Sequence, residues 1–249
     1  MFRKLLIVFA SGVILSIVAF SGAWLAGGQK FREEFRQPES WSWHIGDDDD
    51  DDGPRKSRHF TVAPGSQLAM EVPVELSFTR GDKAEMTVSG PSELVDRLVW
   101  KDGRLSVPGK VHVHHGLKVK ITAPEITGLD LDAPGDVTLT GLKQDQFALT
   151  AEGAVNLEAN GTVRKITVKT EGAGNIDLEQ LAVEDATVRM DGVGNVTIGA
   201  TGLVDIEING AGHATLVRKP RTLHSRINGL GSIDHDYDDD AKNVTTVDL

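Results

Sequence analysis

The chain of 249 residues contains no cysteine. Disulfides, thiolate catalysis, thiolate metal sites and a lipidated N-terminal Cys are therefore excluded, although the compartment is not fixed by that absence. Aromatic residues are only 5% of the chain while glycine reaches 27 residues, a balance that suits tight-turned β structure better than a helical bundle. Net positive charge is also lacking. The charge of −11 argues against a nucleic-acid binder, which would need a basic surface, and an acidic surface of this kind keeps a protein soluble and repels anionic lipid. Much of the excess sits in two local runs, Asp47 to Asp52 and Asp234 to Asp240. Phosphate-loop and dinucleotide fingerprints are missing, because the Gly-x-Gly pairs stand between strands and open no helix. No serine or cysteine nucleophile motif is legible, and no catalytic residue or cofactor is expected.

Long apolar runs are absent except at the start. Arg3 and Lys4 precede an apolar segment from Leu5 to Ala26, which as a helix would span about 33 Å and could cross a bilayer. Residues 1–28 are therefore expected to form a signal anchor, a transmembrane helix with its N-terminus in the cytoplasm. A cleaved signal peptide ending near Ala23–Ala26 is the alternative, and both readings export the rest of the chain. Residues 29–56 read as an acidic flexible linker, with Trp41 and Trp43 placed for a membrane interface and a self-repelling aspartate run before Gly53 and Pro54. That run lacks the alternate ligand spacing and turn glycine of a calcium loop.

From His59 to Pro124 short apolar runs are separated by turn residues. Strands are expected at Phe60–Val62, Leu68–Phe78, Ala84–Val88, Leu98–Trp100, Leu105–Val107 and Leu117–Ile121, broken at Gly81-Asp82, Gly90-Pro91 and Asp102-Gly103. Ser92 is expected to cap one helical turn through Arg97.

The second half carries a glycine-spaced pattern with a period of 18 to 20 residues, such as Gly172-Ala173-Gly174-Asn175-Ile176 and Gly192-Val193-Gly194-Asn195-Val196. Aligned on the second glycine, the units show apolar columns. Val137, Leu157, Ile176, Val196, Ala214 and Ile233 form one, and Leu139, Ala159, Leu178, Ile198 and Leu216 another. Upstream stand Leu129, Leu149, Val168, Val188, Ile206 and Ser225, and then Phe147, Ile166, Ala186, Val204 and Leu223. The alternation with polar residues has period two, the mark of strands with one buried face. A fixed period of this size means stacked units that share one core. The fold class is all-β, a parallel β-solenoid. The residue after the second glycine is always polar (Asp136, Asn156, Asn175, Asn195, His213, Ser232), which predicts a hydrogen-bonded ladder at a turn.

These motifs resemble the GIN-type repeats of the DUF2807 family, described as putative auto-transporter adhesins with a head GIN domain. The lead-in, with Asp102-Gly103-Arg104-Leu105-Ser106-Val107 and Val119-Lys120-Ile121-Thr122-Ala123-Pro124, is also similar. The resemblance covers about Ser57 to Asp236, with Val155 replacing the second glycine of one unit. It implies a single-stranded right-handed β-helix head over 57–240, followed by a C-terminal tail at 241–249. It also implies export in bacteria and brings no established catalytic residues.

His112 and His114, with His115 beside them, are the best metal-site candidates, since on a strand the first two share a face. No third ligand can be assigned, so no metal site is expected. His213, His224 and His235 fall in different columns, and the acidic C-terminal run reads as a polar cap on the solenoid. The outward columns Thr138, Glu158, Asp177, Thr197, Thr215, Asp234 and Lys169, Arg189, Glu207, Arg226 are expected to alternate in sign and type. The expected protein is an inner-membrane-anchored bacterial envelope protein with its head in the periplasm or outside the cell. It would be a non-catalytic, adhesin-like module binding an envelope protein or a glycan. A polysaccharide-acting β-helix enzyme, which would need a groove of carboxylates with a base, is the alternative, as is a structural or sensory domain acting through its anchor.

Overall fold

The computed structural model describes residues 54–109 and 116–237, together with the backbone of 245–248. The anchor segment, the Asp47–Asp52 run and His112, His114 and His115 lie outside the described residues. Among the described residues no helix is long and apolar enough to cross a membrane.

The repeats wind into a β-solenoid of about five turns. Strands β1 (Arg55–Thr61), β2 (Gln67–Met70), β3 (Val74–Arg80) and β4 (Glu85–Pro91) lead into helix α1 (Ser92–Arg97). The hairpin β5 (Val99–Lys101) and β6 (Arg104–Ser106), then β7 (Leu117–Ala123) and β8 (Gly128–Leu131), complete the lead-in. The repeats supply β9 (Gly135–Ala151), β10 (Ala154–Thr170), β11 (Ala173–Met190), β12 (Val193–Ala200), β13 (Leu203–Ile208), β14 (Ala211–Leu216), β15 (Thr222–Ile227) and β16 (Ser232–His235). A last strand, β17 (Thr245–Asp248), pairs in parallel with β15.

Parallel pairing sorts these strands onto two faces. The first runs through β7, β3, the start of β9, β10 and β11, then β12, β14 and β16. The second runs through β2, β8, the later halves of β9, β10 and β11, then β13, β15 and β17. Between the faces β9, β10 and β11 bend without breaking, and the register shifts beside Gly161. Gly161 has φ +128°, and a Cβ there would lie 2.2 Å from the Leu142 carbonyl oxygen, so this inner pass admits only glycine. In the later rungs the same bend is a break between β12 and β13 at Thr201-Gly202.

The apolar columns point inward in register. Val137, Leu157, Ile176, Val196 and Ala214 are all at most 3% exposed, as are Leu139, Ala159, Leu178, Ile198 and Leu216. No polar or charged residue is buried among the described residues. Two inward columns end in polar residues, since Ser225 follows Ile206 in register and His235 follows Leu216. The core thus loses its apolar face near the C-terminal end, as terminal repeats must.

Several local expectations shift. The run Leu68–Phe78 is two strands, because the chain crosses at Glu71–Pro73 from the second face to the first and Pro73 has no N–H for a ladder. Ser92 is the first helical residue and not the cap. The cap position is Pro91, and the Ser92 hydroxyl donates instead to the Pro54 carbonyl. Val155 leaves the register unchanged and turns its side chain inward, 2% exposed. The Asp102-Gly103 break forms the β5–β6 turn, with φ +51° and +80° as a tight two-residue hairpin requires.

What makes the repeat period visible is the corner between one rung's second face and the next rung's first. A Cβ on Gly172, Gly192, Gly210 or Gly229 would lie 1.8–2.1 Å from the carbonyl oxygen of the stacked glycine before it. Gly192→Ala should therefore cost about 3 kcal/mol through forced separation of two rungs, while Val193→Ala, at a site 60% exposed, should change stability by no more than about 0.5 kcal/mol. Ile206→Asp, at a site 0% exposed, should cost more than about 3 kcal/mol through an unpaired buried charge. Denaturant melts of the three variants check the inward, outward and backbone-contact assignments together.

Candidate interaction surface

At the glycine corner each rung places five residues in the same order. An acidic or amide residue comes first, in the column Asp132, Glu152, Glu171, Asp191, Asn209, Asn228. Next is a glycine or Ala133, and then an outward apolar residue in the column Pro134, Ala154, Ala173, Val193, Ala211, Leu230. The position after that is glycine or the buried Val155, followed by the polar ladder residue at the start of the first face. Both flanking columns hydrogen-bond along the stack. Asn156 Nδ2 donates to Asp136 Oδ1 at 3.0 Å, and Asn195 Nδ2 donates to Asn175 Oδ1 at 3.0 Å. On the other side Asn209 Nδ2 donates to Asp191 Oδ1 at 2.6 Å, and Asn228 Nδ2 donates to Asn209 Oδ1 at 2.9 Å. The predicted ladder thus exists, but within strands β9 to β16 and not at a turn. The column before the glycines is not among the expected ones. Its signal is present in the same alignment, as an Asp, Glu or Asn immediately before each glycine position.

The ladder ends in a different chemistry. His213 Nδ1 stands 2.7 Å from Ser232 Oγ, and His213 Nε2 stands 3.2 Å from Asp234 Oδ2. Strand register makes this cluster, because His213 pairs with Ser232 and Thr215 with Asp234. No sequence motif announces it. Yet the side chains of His213 and Asp234 are 38% and 64% exposed, so water solvates the carboxylate that a catalytic triad would need desolvated. The cluster is the last step of the ladder, made by a hydroxyl and an imidazole where earlier steps use amides.

Around this end lies a shallow depression of about 1000 Å³, lined by Val193, Asn195, Ala211, His213, Leu230 and Ser232 with intervening glycines. Leu230 is 87% exposed there. A second open groove, of about 1280 Å³, follows the bend between the faces, where Lys143, Arg164 and Arg218 meet Glu125, Asp145 and Glu184. Arg164 Nε lies 3.4 Å from Asp145 Oδ1, and Arg221 reaches Glu184 at 3.6 Å. This groove is charge-balanced and has no paired carboxylates aimed at one point.

The outward columns alternate in sign only in part: Arg189, Glu207 and Arg226 do so in register, and two other pairs do not. Glu158 stacks on Asp177, and Lys169 stacks on Arg189. Lys169 is neutralised outside its column by Glu171, whereas Arg189 bonds at 3.2 Å to Glu207, the next member of its own column. The Glu171 bond raises the Lys169 ammonium above its ordinary pKa, and the Glu71 bond does the same for the Arg104 guanidinium. His224 stands on the second face between Asp205 and β17, and His235 accepts or donates with the Tyr237 hydroxyl at 3.1 Å. Among the described residues no three His, Asp or Glu side chains converge as a metal site.

A family model described as "Putative auto-transporter adhesin, head GIN domain" matches residues 66–220. No curated protein sequence matches. Among solved structures, a putative adhesin from Bacteroides fragilis is 21% identical, with 73% of this chain and 97% of that one covered at a TM-score of 0.59. That likeness is one of fold. A putative adhesin from Parabacteroides merdae aligns at 16% identity, with coverage of 74% and 96% and a TM-score of 0.41. A protein from Parabacteroides distasonis described as a putative lipid binding protein aligns at 14%, with coverage of 78% and 97% and a TM-score of 0.43.

If the amide ladder only fixes side chains on an exposed face, Asn195→Ala should cost at most about 1 kcal/mol. A denaturant melt checks this, and a loss comparable with that of Ile206→Asp would make Asn195 a main support of the fold.

Proposed function

The chain belongs to the DUF2807 family of head GIN domains, and we propose that it is an exported, membrane-tethered and non-catalytic interaction module of the bacterial envelope. Arg3, Lys4 and the apolar run Leu5–Ala26 support the tether, with the acidic linker carrying the head away from the membrane. The head is a right-handed coil in this reading, and its work is to present long, rigid, regular faces to a protein or glycan. The observation that carries the proposal is the form of the surface. Side chains repeat in register along the stack, the rungs are joined by short turns, and both depressions are open. Surface complementarity over several rungs needs such faces, whereas turnover needs an enclosed, partly desolvated group.

The enzyme alternative rests on Ser232, His213 and Asp234 and is testable in the same preparation. The full-length chain should hydrolyse a simple activated ester no faster than its Ser232→Ala variant. Against envelope glycans, peptidoglycan and matrix components it should show saturable binding without turnover, lost when one outward column is replaced. Release of cleaved sugar, or an ester hydrolysis rate that falls with Ser232→Ala, would overturn the non-catalytic reading.

A further inference from the structure

The polar residues of the solenoid are not evenly mixed between its sides. From Asp132 to Asp236 the glycine corner and the first face contain no lysine or arginine. They carry Glu152, Glu158, Asp177, Asp191 and Asp234, all exposed. Every lysine and arginine of those rungs belongs to the second face or to the bend between the faces, as do Lys165, Arg189, Arg218 and Arg226. Two cations reach the edges of the acidic side, Arg104 to Asp132 at 3.2 Å and Lys169 to Glu171, and both contacts lie on earlier rungs. Around the depression at the last three rungs the cations of this chain among the described residues are Lys169, whose charge also acts on Asp191, and His213 when protonated, 3.2 Å from Asp234.

The apolar exposure coincides with that depression. Among the described residues Val193 and Leu230 are the most exposed large hydrophobic side chains, at 60% and 87%. Both stand on the corner column, with Ala211 between them in register. On earlier rungs the same column holds only Ala or Pro, so a raised apolar pair is confined to this end. An exposed apolar pair inside a field of one sign is the arrangement of a recognition patch, in which the apolar centre supplies affinity and the charged surround selects the partner.

We infer that this corner is the docking surface of the head, and that its partner is a basic protein segment that inserts apolar side chains between Val193 and Leu230 while its lysines or arginines face Asp177, Asp191 and Asp234. An acidic glycan or an anionic lipid headgroup would meet an excess of carboxylates that Lys169 offsets only in part, and is repelled here. The inference rests on the reading of the head as an interaction module and adds the place and the chemistry of the partner.

The test uses the full-length chain and three short synthetic peptides, one alternating Lys and Leu, one alternating Glu and Leu, and one alternating Lys and Ser. Fluorescence anisotropy at low and high salt reads the binding. The Lys–Leu peptide should bind saturably and weaken with salt, the Lys–Ser peptide should bind more weakly, and the Glu–Leu peptide should not bind. The double variant Val193→Ser/Leu230→Ser should lose about tenfold or more in affinity, as should Asp177→Lys/Asp191→Lys. Arg226→Glu, on the second face, should change nothing. Melting temperatures of all variants are compared first. Val193→Ser/Leu230→Ser and Arg226→Glu should match the parent, and Asp177→Lys/Asp191→Lys, which loses the acceptors of the Asn209 and Glu179 bonds, should melt slightly lower while staying folded. Failure of the Lys–Leu peptide to bind, equal binding of the Glu–Leu peptide, or indifference to Val193→Ser/Leu230→Ser would overturn the inference. If the double variant still binds a ligand found among the glycans and matrix components, the docking surface is refuted and the interaction module stands. If peptide and panel are both silent, both readings fall.

Discussion

The close approach of backbone to backbone at the glycine corner sets the form of the whole head. Parallel strands stack at about 4.8 Å. At the corner the chain of one rung lies so near the next that Gly192, given a Cβ, would strike the Gly172 carbonyl oxygen at 1.8 Å. Repeating that contact from Gly153 to Gly229 keeps the corners in one line. Strands of both faces then pair residue on residue, and the apolar columns meet without offset. The pass of Gly161 over Leu142 does the same at the bend. A side chain at either point would not merely add strain in one turn. It would separate two rungs, and with them the ladder hydrogen bonds and the core contacts on either side.

Strict register has a consequence for the surface. Once the core columns align, the outward columns must align as well, so any bias in outward residue type becomes a continuous stripe. Amides then bond to amides along the axis, as Asn195 does to Asn175. Carboxylates likewise collect on one side, as Glu158 and Asp177 do. Such stripes are rigid and long, and each contact is solvated. They suit recognition over several rungs, where many weak contacts add, better than catalysis at one desolvated point. The Ser232–His213–Asp234 cluster illustrates the difference, for its distances suit proton transfer while its exposure does not.

Much of this was legible in the residues. The period of the glycines and the alternation of Val, Ile and Leu between polar positions carried the solenoid, the inward columns and the polar ladder. The run Leu68–Phe78 misled because apolar character continues through a corner, so composition did not reveal that the chain changes face at Pro73. Ser92 misled because its sequence position suits a cap, whereas the hydroxyl is drawn to the Pro54 carbonyl, far away in the chain. Glu158 and Asp177 already stood next to each other in the aligned column, so their like sign was legible. What misled was the assumption that stacked surface charges must pair within a column, when Lys169 pairs with Glu171 outside it.

The local pattern alone determined that this chain forms strands, that the strands stack as repeats and which side chains face inward, because burial period and glycine spacing are properties of neighbouring residues. Tertiary structure alone decided which charges share a side, that Val193 and Leu230 stand exposed on one corner, and that His213 meets Ser232 and Asp234. Those relations join residues one or two rungs apart in sequence, and they arise only when the backbone contact at the glycines has fixed how each rung sits on the last.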